Sequence, residues 1–292
     1  MKTIKITKMQ GCGNDFVVLD YSEFEKSGLT MSELAKKICD RNFGVGADGM
    51  IIPDTKPNGE TDIAWYFYNS DGSTAQMCGN GMRCFAKYVY DKKLVSSKSF
   101  SVKTLAGVIK PQILDDGNVK VNMGTPILEE SKIPFKGEKI AHVKDKEFHI
   151  TPVSMGNPHC VIFTDEDTLC MAKTYGPDME VHPFFPEKTN TEFVKVISEK
   201  EIEMRVFERG CGITLACGTG ACASVVAGVL NNLTENTVKV NLLGGAVNVE
   251  WSGSKDNPNA DIFLIGPANY SFTADYISVS YTHLRAHETT LH

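Results

Sequence analysis

No run of apolar residues in this chain approaches membrane-spanning length, and residues 1–6 hold no signal-peptide apolar core. A cytoplasmic protein is therefore expected. Basic residues are not in excess either: 30 Lys and Arg stand against 36 Asp and Glu, for a formal net charge of −6. Such a balance offers no cationic stripe to follow a nucleic-acid backbone, so neither nucleic acid nor membrane is an expected partner. The cysteines number nine, an odd count, in a chain of ordinary domain size. A disulfide scaffold fits that poorly, and reduced thiols fit it better. Nor do the cysteines show the Cys-x2-Cys spacing of zinc or thioredoxin-like sites; they run Cys78-x5-Cys84 and Cys211-x5-Cys217-x4-Cys222. No metal is expected.

What is present supports a folded chain of one large or two medium domains: 292 residues, 42% of them apolar. Residues 3–9 alternate apolar and polar, as a half-buried strand does. Further strand-like runs fall at 16–19, 50–52, 63–68, 99–105, 119–123, 161–163, 191–197, 202–207, 238–242, 247–251 and 262–265. Thr30 with Glu33 forms a capping-box signature for a helix reaching about Arg41. Strands outnumber helices, and the order is not a regular βαβ series. Met123-Gly124-Thr125-Pro126 and Gly266-Pro267-Ala268 read as joints. They divide the chain into 1–125 with about 266–280, and 126–265. Residues 281–292, with three of the seven histidines and no strand or helix period, read as a tail or a cloning scar.

One internal echo organises the rest. Phe67-Tyr68-Asn69 precedes Cys78-Gly79-Asn80-Gly81, and Val206-Phe207-Glu208 precedes Cys217-Gly218-Thr219-Gly220 at the same spacing. Each cysteine closes a loop and opens a helical pattern. A thiol at a helix N-terminus lies near unpaired N–H groups and the positive end of the helix dipole, both of which favour thiolate. The Gly-x-Gly that follows exposes N–H groups suited to a carboxylate. Two such elements facing one another would hold a carboxylate between helix ends, with a thiol on each side of the adjacent carbon. That arrangement suits proton inversion: a base on one face, an acid on the other, and fixed donors for the enolate-like charge. A lone cysteine before a helix is usually buried filler, and Cys12, Cys39, Cys84, Cys160, Cys170, Cys211 and Cys222 are read mostly that way.

Several motifs carry a family resemblance: Met9-Gln10-Gly11-Cys12-Gly13-Asn14-Asp15-Phe16; Arg41-Asn42-Phe43-Gly44-Val45-Gly46-Ala47-Asp48-Gly49; Asn69-Ser70-Asp71-Gly72-Ser73; and Met77-Cys78-Gly79-Asn80-Gly81-Met82-Arg83-Cys84. Gly156-Asn157-Pro158-His159, Asn190-Thr191-Glu192, Glu208-Arg209-Gly210 and Ala216-Cys217-Gly218-Thr219-Gly220 continue the series. Together they resemble diaminopimelate epimerases. The resemblance implies an α+β fold of two pseudo-symmetric lobes, each a curved, mostly antiparallel sheet around a central helix. It also implies a homodimer that interconverts LL- and meso-diaminopimelate without pyridoxal phosphate or any other cofactor, serving lysine and peptidoglycan synthesis. Carried over by motif, Cys78 and Cys217 are the acid–base pair, and His159 and Glu208 tune them. Gly79, Asn80, Gly218 and Thr219 hold the reacting carboxylate. Asn14, Asn69, Asn157, Asn190, Glu208 and Arg209 grip the rest of the substrate.

The nearest alternative is a two-cysteine proline or hydroxyproline racemase, but that branch typically carries His and Asp where Asn80 and Leu215 stand. A thiol redox or metal-binding protein is a more distant alternative. The G-x-G-x-x-G match at residues 44–49 is read as a set of turns, because a helix precedes it and a strand follows, the reverse of a dinucleotide site.

Overall fold

A computed structural model describes residues 2–278 apart from 58, 60, 75 and 76. The expected tail at 281–292 lies outside the described residues. Two sheets and five α-helices make up the frame: α1 (Tyr21–Ser27), α2 (Met31–Cys39), α3 (Gly79–Asp91), α4 (Thr168–Glu180) and α5 (Gly218–Leu230). The fold is mixed α+β and sheet-dominated. The capping box forms as expected: Thr30 accepts from Glu33 N–H, and the Glu33 carboxylate accepts from Thr30 N–H.

The repeat is plainest in the strand pairing. In the seven-stranded sheet, Lys2–Gly11 runs antiparallel to Asn14–Val18, which pairs parallel with Gly49–Asp54 after α1 and α2. Gly49–Asp54 is antiparallel to Ile63–Asn69, which pairs parallel with Val102–Thr104 after α3. The larger sheet repeats this order. Lys146–Ser154 is antiparallel to Pro158–Phe163, which pairs parallel with Asn190–Ser198 after α4. Asn190–Ser198 is antiparallel to Glu201–Glu208, which pairs parallel with Thr237–Leu242 after α5. Each lobe thus wraps its sheet on one central helix, α3 or α5. The register makes Phe16 and Gly49 the counterparts of His159 and Asn190, since both pairs face one another across the equivalent parallel ladder.

The central helices follow from their sequences. Along α3, Met82, Phe85, Ala86 and Val89 are buried; along α5, Ala221, Cys222, Ala223, Val225, Val226 and Ala227 are 0% exposed, as a helix enclosed by sheet requires. Val119 and Val121 pack into the first core while their strand, Val119–Asn122, bonds into the larger sheet. The chain therefore crosses between sheets ahead of residues 123–126. The last strand, Asn269–Ser278, returns to pair with Lys2–Gly11 along the rim of the first sheet.

The lobes meet turn against turn. Gly11-Cys12-Gly13 leaves the first sheet, and Cys12 packs into the core of the second lobe. Its Sγ lies 3.7 Å from Ala246 O. Asn80 of α3 donates from Nδ2 to Ala216 O, 3.5 Å away and immediately before Cys217.

Candidate active site

Cys78 and Cys217 are the N-caps of α3 and α5. Each sulfur accepts from the N–H of its third following residue: Gly81 N to Cys78 Sγ is 3.4 Å, and Gly220 N to Cys217 Sγ is 3.3 Å. The two helix starts converge. A methyl group added at either Gly79 or Gly218 would lie 3.0 Å from the same atom, Leu264 Cδ2. The opening N–H groups of both helices, which lack intrahelical partners, therefore gather at one place.

Around Cys78, Asn14 Oδ1 lies 3.7 Å from Sγ and accepts from Asn80 Nδ2 at 3.2 Å. Asn14 does not stand alone. Its Nδ2 donates to Asp48 Oδ2 at 2.5 Å, Asp48 Oδ1 accepts from Arg41 Nη2 at 2.7 Å, and Asp15 pairs with both Arg41 and Lys8. This charged network orients the Asn14 amide. Asp15, Arg41 and Asp48 stand within two of the motifs that carry the family resemblance but are not among the site residues it implies; their signal in the sequence is charge beside glycine-rich turns.

Around Cys217, Thr219 Oγ1 lies 3.5 Å from Sγ and Asn157 Nδ2 donates to Thr219 Oγ1 at 3.4 Å. His159 Nε2 lies 3.1 Å from Asn157 Oδ1. Glu208 ends its strand as Asn69 ends the matching one. Its carboxyl accepts from Thr214 Oγ1, and its charge acts on both Cys217 and Cys78. A single carboxyl thus acts on both sulfurs. Thr214 was not foreseen.

Other candidates are engaged differently. The buried Asn190 amide accepts from Arg209 N–H at 3.1 Å and donates to Pro158 O at 2.8 Å, so here it braces two loops. Asn69 Nδ2 donates to Ser73 Oγ at 3.0 Å within its turn. The Arg209 side chain is exposed and donates to Glu187 O at 3.1 Å. Two open hollows, of about 420 and 600 Å³, lie on other faces and contain none of these residues.

The thiol electrostatics correct one expectation. Helix starts were expected to favour thiolate, yet burial pushes both thiols up. For Cys78, a partly exposed residue whose sulfur is closely surrounded, the N–H groups of Gly81 and Asn80 and the Arg83 guanidinium offset part of that. Cys217 rises well above the ordinary value, through burial first and then the Glu208 and Glu192 carboxylates. Glu208 is itself raised, mainly by burial. Desolvation outweighs the N–H donors at the helix starts. The sign follows: at either sulfur thiolate forms only as pH rises, and Cys78, partly exposed where Cys217 is buried, is the more accessible of the two. Alkylation by iodoacetamide, mapped by peptide mass, should therefore reach Cys78 before Cys217 and accelerate between about pH 7 and 9. Faster labelling of Cys217, or a rate flat across that interval, would contradict this ordering.

The family model described as diaminopimelate epimerase matches residues 6–129 and 151–271. A diaminopimelate epimerase of Halothermothrix orenii is 44% identical over 286 residues, covering 94% of this chain and 98% of that protein. One of Desulfitobacterium hafniense is 46% identical over 280 residues, covering 92% and 96%. Among solved structures, a Bacillus anthracis phenazine biosynthesis protein of the PhzF family superposes with a TM-score of 0.72 at 18% identity, covering 95% of this chain and 100% of that one. A hydroxyproline epimerase from Agrobacterium vitis, with bound trans-4-hydroxy-L-proline, superposes at 0.67 with 10% identity, covering 96% and 95%. At such identities the two structures bear on the fold alone.

Proposed function

The chain belongs to the diaminopimelate epimerase family, and from that premise we propose that it interconverts LL- and meso-diaminopimelate by two-base proton transfer between Cys78 and Cys217. It is an isomerase. The observation that carries the assignment of the bases is the convergence of two cysteine-capped helix starts on Leu264. A substrate carboxylate seated between those starts would receive N–H donors from Gly79-Asn80 and Gly218-Thr219. The adjacent Cα would then have a sulfur on either face. One thiolate removes the Cα hydrogen, the carboxylate takes up the developing charge, and the opposite thiol delivers its hydrogen. The sulfurs exchange protonation states, and no net proton is gained or lost. Glu208, whose charge acts on both sulfurs, takes the proton from the sulfur that gained it and passes it to the other, which resets the pair, with His159 acting from the Cys217 side.

Asn14, Asn69 and Asn157 suit a substrate bearing two ammonium and two carboxylate groups, because an amide donates and accepts without adding charge, while Asn190, engaged at both ends of its amide, serves the site by holding the Pro158 and Arg209 loops. Arg209, exposed in the turn just after the strand Glu201–Glu208, is suited to the distal carboxylate. No cofactor enters this scheme. The lobes proposed as units are residues 1–125 with 266–280, and 126–265. A homodimer in the cytoplasm completes the reading. Its supporting feature is the rim strand Asn269–Ser278, which exposes Tyr270, Phe272 and Ile277.

Deuterium uptake at Cα of LL-diaminopimelate in heavy water, with appearance of the meso form and no added cofactor, tests the function directly. Uptake and inversion with hydroxyproline but not diaminopimelate would transfer the assignment to the racemase branch.

A further inference from the structure

His159 and Glu192 are both 0% exposed, and Glu192 Oε1 lies 2.7 Å from His159 Nδ1. The other carboxylate oxygen, Oε2, is buried without a hydrogen-bond partner among the described residues. A carboxylate with an orphan oxygen in a core is an expensive thing to keep for stability alone. The first lobe supplies an internal comparison. Register places Phe16 opposite Gly49 and Val18 opposite Ile51, just as His159 stands opposite Asn190 and Val161 opposite Glu192. Phe16 and Ile51 therefore fill in the first lobe the positions that His159 and Glu192 fill in the second, and both are buried in its core. The fold builds this position from two apolar side chains once; the second time it builds it from an acid and an imidazole.

The pair sits directly beneath the Cys217 end of α5. A methyl group at Gly220 would lie 2.7 Å from Glu192 Oε1 and 3.2 Å from Cys217 Sγ, so the missing side chain makes room for the carboxylate. From His159 the contacts run outward: Nε2 to Asn157, Asn157 to Thr219, Thr219 to the Cys217 sulfur. We propose that Glu192 is a positioning residue. Its carboxylate accepts a hydrogen bond from the Nδ1–H of His159, which fixes the ring so that Nε2 faces Asn157, Thr219 and Cys217. This role rests on the reading of Cys217 as one of the two bases. Without the carboxylate, the ring is free to turn or to change tautomer, and the order of donors and acceptors leading to the sulfur is lost.

The test combines kinetics with the ring nitrogens themselves. In ¹⁵N-histidine-labelled protein at pH 8, the His159 signals, identified by their loss in His159→Gln, should show Nδ1 carrying hydrogen. In Glu192→Gln the same signals should shift to the other tautomer or a mixture. Its kcat should fall on the order of 10- to 100-fold while KM stays within about threefold. The double variant His159→Phe/Glu192→Ile, which copies the first lobe, should fold and be inactive. A wild-type Nδ1 without hydrogen overturns the proposal, whether or not any variant folds. So does a Glu192→Gln variant with unchanged kcat, or one that loses activity while its His159 signals stay as in wild type. If the wild-type chain fails to invert diaminopimelate, the functional reading falls, yet the nitrogen signals still decide whether Glu192 holds the ring.

Discussion

Replacing either cap cysteine by serine should leave a folded protein that has lost inversion. Serine is a good N-cap, so Cys78→Ser and Cys217→Ser keep an acceptor for the Gly81 and Gly220 N–H groups, and melting temperature should barely move. A serine hydroxyl, however, is far too weak an acid to supply a base near neutral pH. The loss expected for removing a positioned acid–base group is about 10²- to 10⁴-fold in kcat. The double variant should be little worse than either single, because the two sulfurs act as a unit. A single variant keeps one thiol, which can still remove and return a hydrogen on its own face. Exchange of solvent deuterium with retained configuration is then expected to outpace the residual inversion, for one stereoisomer in each variant. The measurement is deuterium incorporation read together with stereoisomer ratio. Near-normal inversion by either single variant would remove that residue from the chemistry.

How far the sequence reached depended on where the interactions lie along the chain. Strand alternation, the Thr30–Glu33 capping box and the two Cys-Gly-x-Gly elements are local, and each formed where expected. Helix α4 escaped notice because Pro177 interrupts its pattern and its apolar stripe is weak. The pairing of Asn14 with Asp48, of Glu208 with Thr214 and of His159 with Glu192 joins residues on separate strands and loops. No periodicity announces such contacts. The direction of the thiol shifts was unreadable for a related reason: the dipole is a property of one helix, whereas burial is a property of both lobes packed together. The pseudo-symmetry was visible as matching spacing around two cysteines, but its depth became clear only from the strand register, which equates Phe16 with His159 although the two residues share no chemistry.

That packing of lobes makes a second large effect predictable. Gly244 lies in the turn between Thr237–Leu242 and Gly245–Trp251, and its N–H donates to Leu215 O at 2.8 Å. A methyl group there would stand 1.9 Å from Cys12 O and 2.6 Å from Cys12 C, both backbone atoms of the opposing lobe. No rotamer change can relieve such a contact. In Gly244→Ala one turn must retreat, and because Gly244 anchors Leu215, the retreat also moves the segment leading to Cys217. Overpacking of this kind costs about 3 kcal/mol or more, a fall of roughly 10 °C in Tm for a chain of this size. Leu243→Ala in the same turn, where the side chain reaches solvent, is the control and should be nearly neutral. Hydrogen exchange gives the sharper reading. Faster exchange in Gly244→Ala should appear at both residues 11–14 and 242–246, one segment from each lobe, with α3 and α5 still protected. Inversion should fall with it, since the two sulfurs belong to different lobes and meet only while these turns stay seated. A Gly244→Ala protein with unchanged Tm and wild-type rate would mean that the junction is loose, and that the thiols are brought together by something other than the fit of these two turns.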